Sequence, residues 1–353
     1  MTIYELQQYR IHNQQLHGLP QHNPESLVAY MGAMQAQDYA MAKWAIALRT
    51  RDPRGLQIED SINLGNIIRL HILRPTWHFV TTENARWMMA LSAPSIQKAA
   101  RFIDRQTGLT TALYIKAARV LGKILEAADL TKEEIMEVLA QHRIKVNNLL
   151  ATQLLIRAET EMLICSGNRK GLRFTYTLFD KRVAPASPVN REEALARLAA
   201  LYFKTRGPAT LKDFSWWSGL TATDAATGWN AIRNELVSVS VEGSTYWMYA
   251  QEEPEKLQSH SFLLPPYDEL TVSYSESRAL LFNGDASLVG NGIFRPVMME
   301  KHKLTGIWKR TEKKNGVELD LNFLPLHSGR PSRALLRSVR LYEQHTGKPV
   351  TLI

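Results

Sequence analysis

The sequence predicts an α+β protein in which a unit of three helices and a β-hairpin recurs, followed by a small antiparallel β-barrel or sheet and a closing helix. Two patterns predict this class. Apolar residues recur at helical spacing over long segments, and between these lie short runs that alternate apolar and polar residues around glycine turns. The chain has 353 residues, 45% hydrophobic and 22% charged, which is the composition of an ordinary globular protein of several domains.

The first unit is predicted over residues 1–82. Apolar residues over 3–16 have roughly helical spacing, and Asn23-Pro24-Glu25 then supplies a helix cap, a first-turn proline and an acid. A short third helix is expected near 60–67, and "IIRLHILRPTWHFVTT" after it has the composition of a hairpin. Three helices closed by a β-hairpin form the winged-helix arrangement, a variant of helix-turn-helix.

The same order of elements returns twice, so the sequence predicts three tandem winged-helix units. The second, over 129–185, begins with the capping box Thr131 to Glu134, and the third, over 190–252, has a hairpin turn at Glu242-Gly243-Ser244. Residues 83–128 are predicted to be connecting helices.

The last predicted domain, 258–353, is a small antiparallel β-barrel-like unit with a C-terminal basic helix. Its stretches "FLLPPYDELTVSY" and "GNGIFRPVMMEKHKLTGIWKRTEKKNGVELDLNFLP" alternate apolar and polar residues around glycines. The helix "PSRALLRSVRLYEQHTG" carries Arg333, Arg337 and Arg340 at i, i+4 and i+7, on one stripe. Such a stripe suits DNA phosphates, and it is equally typical of a solvated helix face.

Charge favours a polyanionic partner. The formal net charge is +9, and residues 301–353 hold eleven Lys or Arg against four Asp or Glu, so 11 − 4 = +7. No apolar run could cross a membrane, and the start has no basic segment followed by an apolar one, so a cytoplasmic protein is expected. The single cysteine, Cys165, lies in the apolar "EMLICSG" and is expected to be a buried thiol.

Four stretches occur in order along the chain: "MQAQDY", "LRPTWHFV", "LLPPYDE" and "NGIFRPVMMEKHKLTGIWKR". Together they resemble the winged-helix DNA glycosylase family of the AlkZ and YcaQ type, from about Arg10 to Leu341. The resemblance implies three tandem winged helices plus a β-barrel, with a concave basic surface for double-stranded DNA. It also implies hydrolysis of the N-glycosidic bond of alkylated purines, including bases in interstrand crosslinks.

The family's catalytic motif is Gln-apolar-Gln, or Gln-apolar-Asp in another branch. By resemblance, Gln35 and Gln37 are the catalytic residues around Ala36, and Asp38 follows directly. An amide cannot act as a general base, so the pair would position a water and stabilise positive charge on the sugar, which suffices for a cationic N7- or N3-alkylpurine. Ordinary helix capping is the alternative for the pair.

The geometry of the pair sets a condition. Residues two apart on a helix point roughly 200° from each other, whereas on an extended chain they share a face. For both glutamines to hold one water, the helix that begins at Pro24 must therefore end near Gln35.

Other candidates surround this motif in the prediction. Asp38, Tyr39, Thr76 and His78 are expected to line the cleft, with Arg74 on the same face of the first wing and Trp77 and Phe79 in the core. His78 could equally be a structural histidine. The candidate phosphate contacts are Arg10, Arg69, Arg74, Arg330, Arg333, Arg337 and Arg340. Trp216 and Trp217 are expected to be core.

Two alternatives to a glycosylase stay open at this stage: a non-catalytic DNA-binding protein such as a transcriptional regulator, and a scaffold that has lost catalysis. The candidate recognition helix "EDSINLGNII" has no lysine or arginine, which argues against sequence reading. No Cys/His zinc spacing and no glycine-rich nucleotide loop occurs, so no cofactor and no metal are predicted. The expected protein is a nucleoid-associated monomer.

Overall fold

The computed structural model describes residues 1–16, 23–251, 254, 261–275, 277, 280, 294–324 and 329–353. Within them the fold is mixed α+β and divides into two compact units. The first unit combines Met1–Glu59 with Leu195–Ile353, and the second is the continuous segment Asp60–Ala194. This division is coarser than the predicted domains, whose boundaries stay a prediction. The predicted start of the last domain at 258 and the first residues of the "NGIFRP" stretch, 291–293, lie outside the described residues.

The N-terminal part of the first unit is helical apart from one short strand. Thr2 and Glu5 form a capping box on the first helix. Asn23 caps the second helix with Pro24 at its first position, as the sequence predicts. The predicted third helix near 60–67 begins and ends earlier, because Gly65 has a φ of +84° and a strand starts at Ile67. The elements are α1 (Ile3–Asn13), α2 (Pro24–Met31), β1 (Met34–Gln35), α3 (Tyr39–Ala47) and α4 (Gly55–Asn63).

The second unit has its own apolar core, formed by buried residues between Tyr114 and Ile164. Its elements are β2 (Ile67–Ile72), β3 (Thr76–Thr81), α5 (Thr82–Thr107), α6 (Thr111–Ala127), β4 (Leu130–Thr131), α7 (Lys132–Gln141), α8 (Asn148–Thr160), β5 (Ile164–Ser166), β6 (Thr175–Leu178) and α9 (Phe179–Arg182). The strands β2 and β3 form the predicted antiparallel hairpin, and β6 pairs with both β4 and β5. Thr131 and Glu134 form the predicted capping box on α7. The buried Cys165 confirms the expectation of a core thiol, and burial raises its pKa to about 12.

The chain returns to the first unit with three helices and a hairpin, as predicted for residues 190–252. These are α10 (Arg191–Arg206), α11 (Leu211–Ser218), α12 (Ala222–Ile232), β7 (Leu236–Val241) and β8 (Ser244–Tyr249), with a 3-10 turn at Arg233–Glu235. The hairpin turns through Glu242 and Gly243, both at positive φ, as a two-residue turn of this kind requires.

The terminal elements are β9 (Ser261–Leu264), α13 (Glu269–Val272), β10 (Val297–Glu300), β11 (Lys303–Lys313), β12 (Gly316–Phe323), α14 (Arg333–Thr346) and β13 (Val350–Leu352). The strands β9 to β12 pair antiparallel, as predicted, but β13 pairs parallel with β12 and follows the helix that was expected to close the chain. A second difference concerns "DELTVSY", which was expected to be extended. It forms α13, because Tyr267 turns the chain at a φ of +62° and the Asp268 side chain caps the new helix.

An aromatic core holds α10 and α11 together in the first unit. The Tyr202 ring lies 5.3 Å from Phe214 and 5.2 Å from Trp217, centroid to centroid. Trp217 is buried, which confirms its prediction, whereas Trp216 is 40% exposed and donates from Nε1 to the Val272 carbonyl. No helix of the described residues has both the length and the apolarity that a membrane crossing needs.

Candidate active site

The chain is not helical at the two glutamines. Helix α2 ends at Met31, Gly32 follows at a φ of +75°, and Met34–Gln35 is extended. The next helix begins at Tyr39, so Gln35 and Gln37 lie in the non-helical connection between α2 and α3. The condition set by the sequence, that the helix must end before the motif, is confirmed.

The two glutamines differ in access to solvent. Gln35 is 8% exposed and Ala36 is fully buried, whereas Gln37 is exposed. Both residues have contacts within the protein. Their surroundings therefore suit different tasks, with Gln37 able to meet water directly and Gln35 held in the protein.

Asp38 and Tyr39 have structural partners. The Asp38 carboxylate accepts from the Met41 N–H at 3.1 Å and so caps α3, and Arg310 lies 3.8 Å from its other oxygen. The Tyr39 hydroxyl donates to Glu59 at 2.9 Å. These contacts favour a capping role for Asp38 over that of a general base.

A buried ion pair lies beneath the motif. The backbone N–H of Gln35 donates to Glu269 Oε1 at 2.7 Å, and Glu269 Oε2 accepts from Arg206 Nη2 at 2.6 Å. Arg206 also donates to the carbonyls of Met31 and Ala33, both at 2.8 Å. Glu269 lies in the stretch "LLPPYDE", but the sequence predicted no role for it or for Arg206. The two residues lie on distant segments, and no local pattern in the sequence indicates that they meet.

The hairpin of β2 and β3, which was predicted to be the first wing, differs from its prediction at His78. That ring is 1% exposed, and its Nδ1 donates to the Thr76 carbonyl at 2.9 Å, so the nitrogen that carries the proton is Nδ1. We therefore correct its expected cleft-lining role to that of a structural histidine. Thr76 and Arg74 are half-buried.

The apolar face of this wing is only partly as expected. Phe79 is fully buried, as predicted. Trp77 is half-buried and its ring stacks on His71, with 3.6 Å between the ring centroids.

The predicted phosphate contacts separate by burial. Arg10 is fully buried and donates to the Pro208 carbonyl and to Ser277, and Arg69 is 7% exposed, with its guanidinium over the rings of Trp77 and Phe174. We correct the expectation for Arg10, because its side chain does not reach solvent, where a phosphate would lie. Arg69 is about as exposed as Gln35, and its phosphate contact stays a prediction. The exposed members of the set are Arg330, Arg333, Arg337 and Arg340.

The described residues hold no group of three or more His, Cys, Asp or Glu side chains placed to bind a metal ion.

Comparison with known proteins gives consistent matches. Over residues 28–345 the chain matches the family model described as DNA glycosylase AlkZ-like. It is 21% identical over 334 residues to an "Interstrand DNA cross-link repair glycosylase" of Streptomyces sahachiroi, covering 85% of this chain and 86% of that protein. The solved structure of Streptomyces sahachiroi DNA glycosylase AlkZ has a similar fold, with a TM-score of 0.78 at 17% identity and full coverage of both chains. Since the family model spans nine-tenths of the sequence, the chain belongs to the AlkZ-like DNA glycosylase family.

Proposed function

We propose that this protein hydrolyses the N-glycosidic bond of N7- or N3-alkylated purines in double-stranded DNA, as a monofunctional glycosylase. Gln35 and Gln37 position the attacking water and stabilise the transition state. The observation that carries the proposal is the break between α2 and α3, which leaves both glutamines outside a helix at the position of the family motif. Water is the nucleophile, so no lysine forms a covalent intermediate.

The chemistry explains why two neutral amides suffice. Alkylation at N7 or N3 makes the purine a cation, which leaves readily and takes its bonding electrons with it. Positive charge then develops on the sugar, and an amide oxygen can stabilise that charge or accept a hydrogen bond from water. An undamaged purine is a poor leaving group, and two amides offer it no acid, so normal DNA is spared.

Solvent access suggests a division between the two. We assign the water to Gln37, which is exposed, and the sugar cation to Gln35, which is buried. Asp38 is left out of the reaction because its carboxylate caps α3.

The architecture proposed for DNA binding is the three tandem winged helices of the sequence prediction. Exposed arginines on α14 are proposed to contact phosphates, together with Arg330 and the half-buried Arg74. The matched Streptomyces protein is named for crosslink repair. We extend that substrate to this chain. A base bonded to both strands cannot flip out completely, so the proposed site must act on a base that stays in or near the duplex. That the protein is a nucleoid-associated monomer stays a prediction.

The test is release of free base from a duplex that contains 7-methylguanine. Wild type is expected to release the base and leave an abasic site under single-turnover conditions. Gln37→Ala is expected to slow release about 100-fold, the usual effect of removing one transition-state hydrogen bond, with duplex affinity unchanged.

The matched control is Gln141→Ala, which makes the same chemical change at an exposed helix end in the second unit. Its release rate should equal that of wild type. If wild type releases no base from any alkylated duplex while binding one sequence tightly, the protein is a regulator and the proposal is wrong.

A further inference from the structure

Arg206 and Glu269 form a buried ion pair at the base of the glutamine motif. Arg206 is fully buried and Glu269 is 1% exposed. Glu269 Oε2 accepts from Arg206 Nη2 at 2.6 Å and Nε at 3.2 Å, and from the Ser273 hydroxyl at 3.0 Å. The guanidinium also stacks on Trp217, with 4.3 Å between its carbon and the ring centroid.

Every N–H of the Arg206 guanidinium has an acceptor. Its Nη1 donates to the Met31 carbonyl and to Thr205 Oγ1, its Nη2 to the Ala33 carbonyl and to Glu269, and its Nε to Glu269 and Ser273. Five donors in a rigid plane fix the positions of these acceptors relative to one another. Two of them, Met31 and Ala33, lie on either side of Gly32, where α2 ends.

Glu269 also contacts the glutamine motif itself. Its Oε1, which Arg206 does not use, accepts from the backbone N–H of Gln35 at 2.7 Å. The pair therefore holds three backbone groups of one short segment, at Met31, Ala33 and Gln35. Because these contacts are to backbone, they set the direction in which the chain leaves α2.

Stability alone is a weak reason for such a pair. Desolvation of two buried charges offsets most of their attraction, and apolar residues of similar volume often serve as well. A second buried ion pair in the same unit contacts other parts of the chain. Arg49 donates to both oxygens of Asp268 and to the carbonyls of Gln14 and Ala45, and no described contact joins it to residues 31–37.

We propose that Arg206 and Glu269 are positioning residues, which clamp the chain from Met31 to Gln35 and so orient the two glutamines for the reaction. Neither side chain touches the substrate. The clamp acts through the glutamines, so its kinetic effect rests on the proposed glycosylase function, while its effect on the chain does not.

The first arm of the test measures the chain directly, with no substrate. Arg206→Lys keeps the positive charge but loses the planar fork, so it cannot hold Met31, Ala33 and Glu269 together. Amide hydrogen exchange of peptides covering 31–37 is expected to be at least tenfold faster than in wild type. Arg49→Lys makes the same change in the other buried pair and should leave these peptides within twofold of wild type.

Glu269→Gln is the second variant, in case Arg206→Lys does not fold. Its amide must place an NH₂ group against either the guanidinium or the Gln35 N–H, so it too should speed exchange at 31–37. Unchanged exchange at these residues in the folded variants overturns the clamp. Equal acceleration in Arg49→Lys also overturns it, because the effect would then be general loosening.

The second arm measures single-turnover base release at saturating enzyme. Arg206→Lys is expected to lower the rate at least tenfold with duplex affinity unchanged, and Arg49→Lys to lower it less than twofold. In a background with both Gln35→Ala and Gln37→Ala, Arg206→Lys should add less than threefold, because its effect passes through these two glutamines. Full additivity overturns the positioning role.

The two proposals fail in different ways. If wild type releases no base but exchange at 31–37 responds as expected, the clamp on the chain is supported and the glycosylase proposal is the one that fails.

Discussion

Arg10 links two elements of the first unit through a short chain of polar groups. Its Nη2 donates to the Ser277 hydroxyl at 2.6 Å, and that hydroxyl donates to Asp213 at 2.7 Å. Burial raises the pKa of Asp213, but the Arg10 charge and hydrogen bonds from Ser277, Thr210 and Ser275 outweigh it, so the pKa is lowered. A carboxyl whose pKa is lowered on folding stabilises the protein above its unfolded pKa, and that stability is lost as the pH falls through the folded value.

Arg10→Met should test this network. It removes the charge while keeping the length of the side chain, and we expect a loss on the order of 3 kcal/mol in the free energy of unfolding at pH 7. The pKa of Asp213 then rises, so the difference from wild type is largest near neutral pH and narrows below about pH 4.

Urea unfolding followed by circular dichroism at several pH values measures this difference. Arg337→Met at an exposed position is the control and should unfold like wild type. If the difference in the free energy of unfolding between Arg10→Met and wild type is constant with pH, Arg10 does not act through Asp213.

Single residues show where sequence information ends. Gln35 and Gln37 could be named because the motif is local. The burial of Arg10 could not be read with certainty, although it lies four residues after the buried Leu6 on α1 and therefore on the same face. Arg206 and Glu269 lie 63 residues apart, and nothing near either of them in sequence indicates that they meet.

At the scale of elements, the short connection between α2 and α3 depends on caps at both ends. Gly32 ends α2 at positive φ, and Asp38 starts α3 by accepting from the Met41 N–H. The same carboxylate follows Gln37 directly in the sequence and is a candidate general base, so its capping role and a catalytic role predict different outcomes.

Asp38→Asn separates these roles. Asparagine caps a helix as well as aspartate but cannot take a proton from water. We expect base release from the 7-methylguanine duplex within about threefold of wild type, since only the capping role is needed. A fall of 100-fold or more, with the melting temperature unchanged, would identify Asp38 as the base.

Asp38→Ala completes the comparison. It removes the cap and should lower the free energy of unfolding by about 1 kcal/mol, measured by thermal denaturation.

Elements were predicted well where local chemistry determines them. The capping box of Thr131 and Glu134 and the hairpin turn at Glu242-Gly243 follow from adjacent residues. The helix α13 was missed because "ELTV" has residues that favour strands, yet all four are buried and the Asp268 cap prevails. The strand β13 has three residues, too few for any pattern to be visible.

At the scale of the whole molecule, positive charge is concentrated toward the C-terminal end of the sequence. Residues 301–353 contribute +7 of a total of +9. Arg333, Arg337 and Arg340 are exposed along α14, as the spacing predicted. Each phosphate that an arginine neutralises releases a counterion from the DNA and so contributes about 0.9 to the salt dependence of binding.

The triple variant of α14, with alanine at Arg333, Arg337 and Arg340, is therefore expected to lower the slope of log affinity against log salt by about 2 to 3. Fluorescence anisotropy with a duplex at several salt concentrations measures it. Binding should weaken uniformly across sequences, because phosphate contacts carry no sequence information.

A matched control removes three charges elsewhere. Lys116, Arg119 and Lys123 are exposed on α6, and changing them to alanine gives the same net charge, 9 − 3 = +6. The slope should then change by less than about 1. Equal effects of the two triples would mean that overall charge governs binding.

The fold class was predictable from the sequence, but the division of the chain was not. The mixed α+β class follows from the alternation of helical and extended patterns, whereas the first unit joins residues 1–59 to residues 195–353. Such a union depends on buried pairs such as Arg49 with Asp268, whose partners lie 219 residues apart.

The hydrogen bond from Gln35 to Glu269 has a consequence during synthesis. Its two ends are separated by 234 residues, so a ribosome moving at 5–20 residues per second makes the second end roughly 10 to 50 seconds after the first. Until then the nascent segment around Gln35 has no carboxylate to hold it. A chain that stops before Glu269 would therefore carry both glutamines and the helices around them, but not the geometry proposed for the reaction.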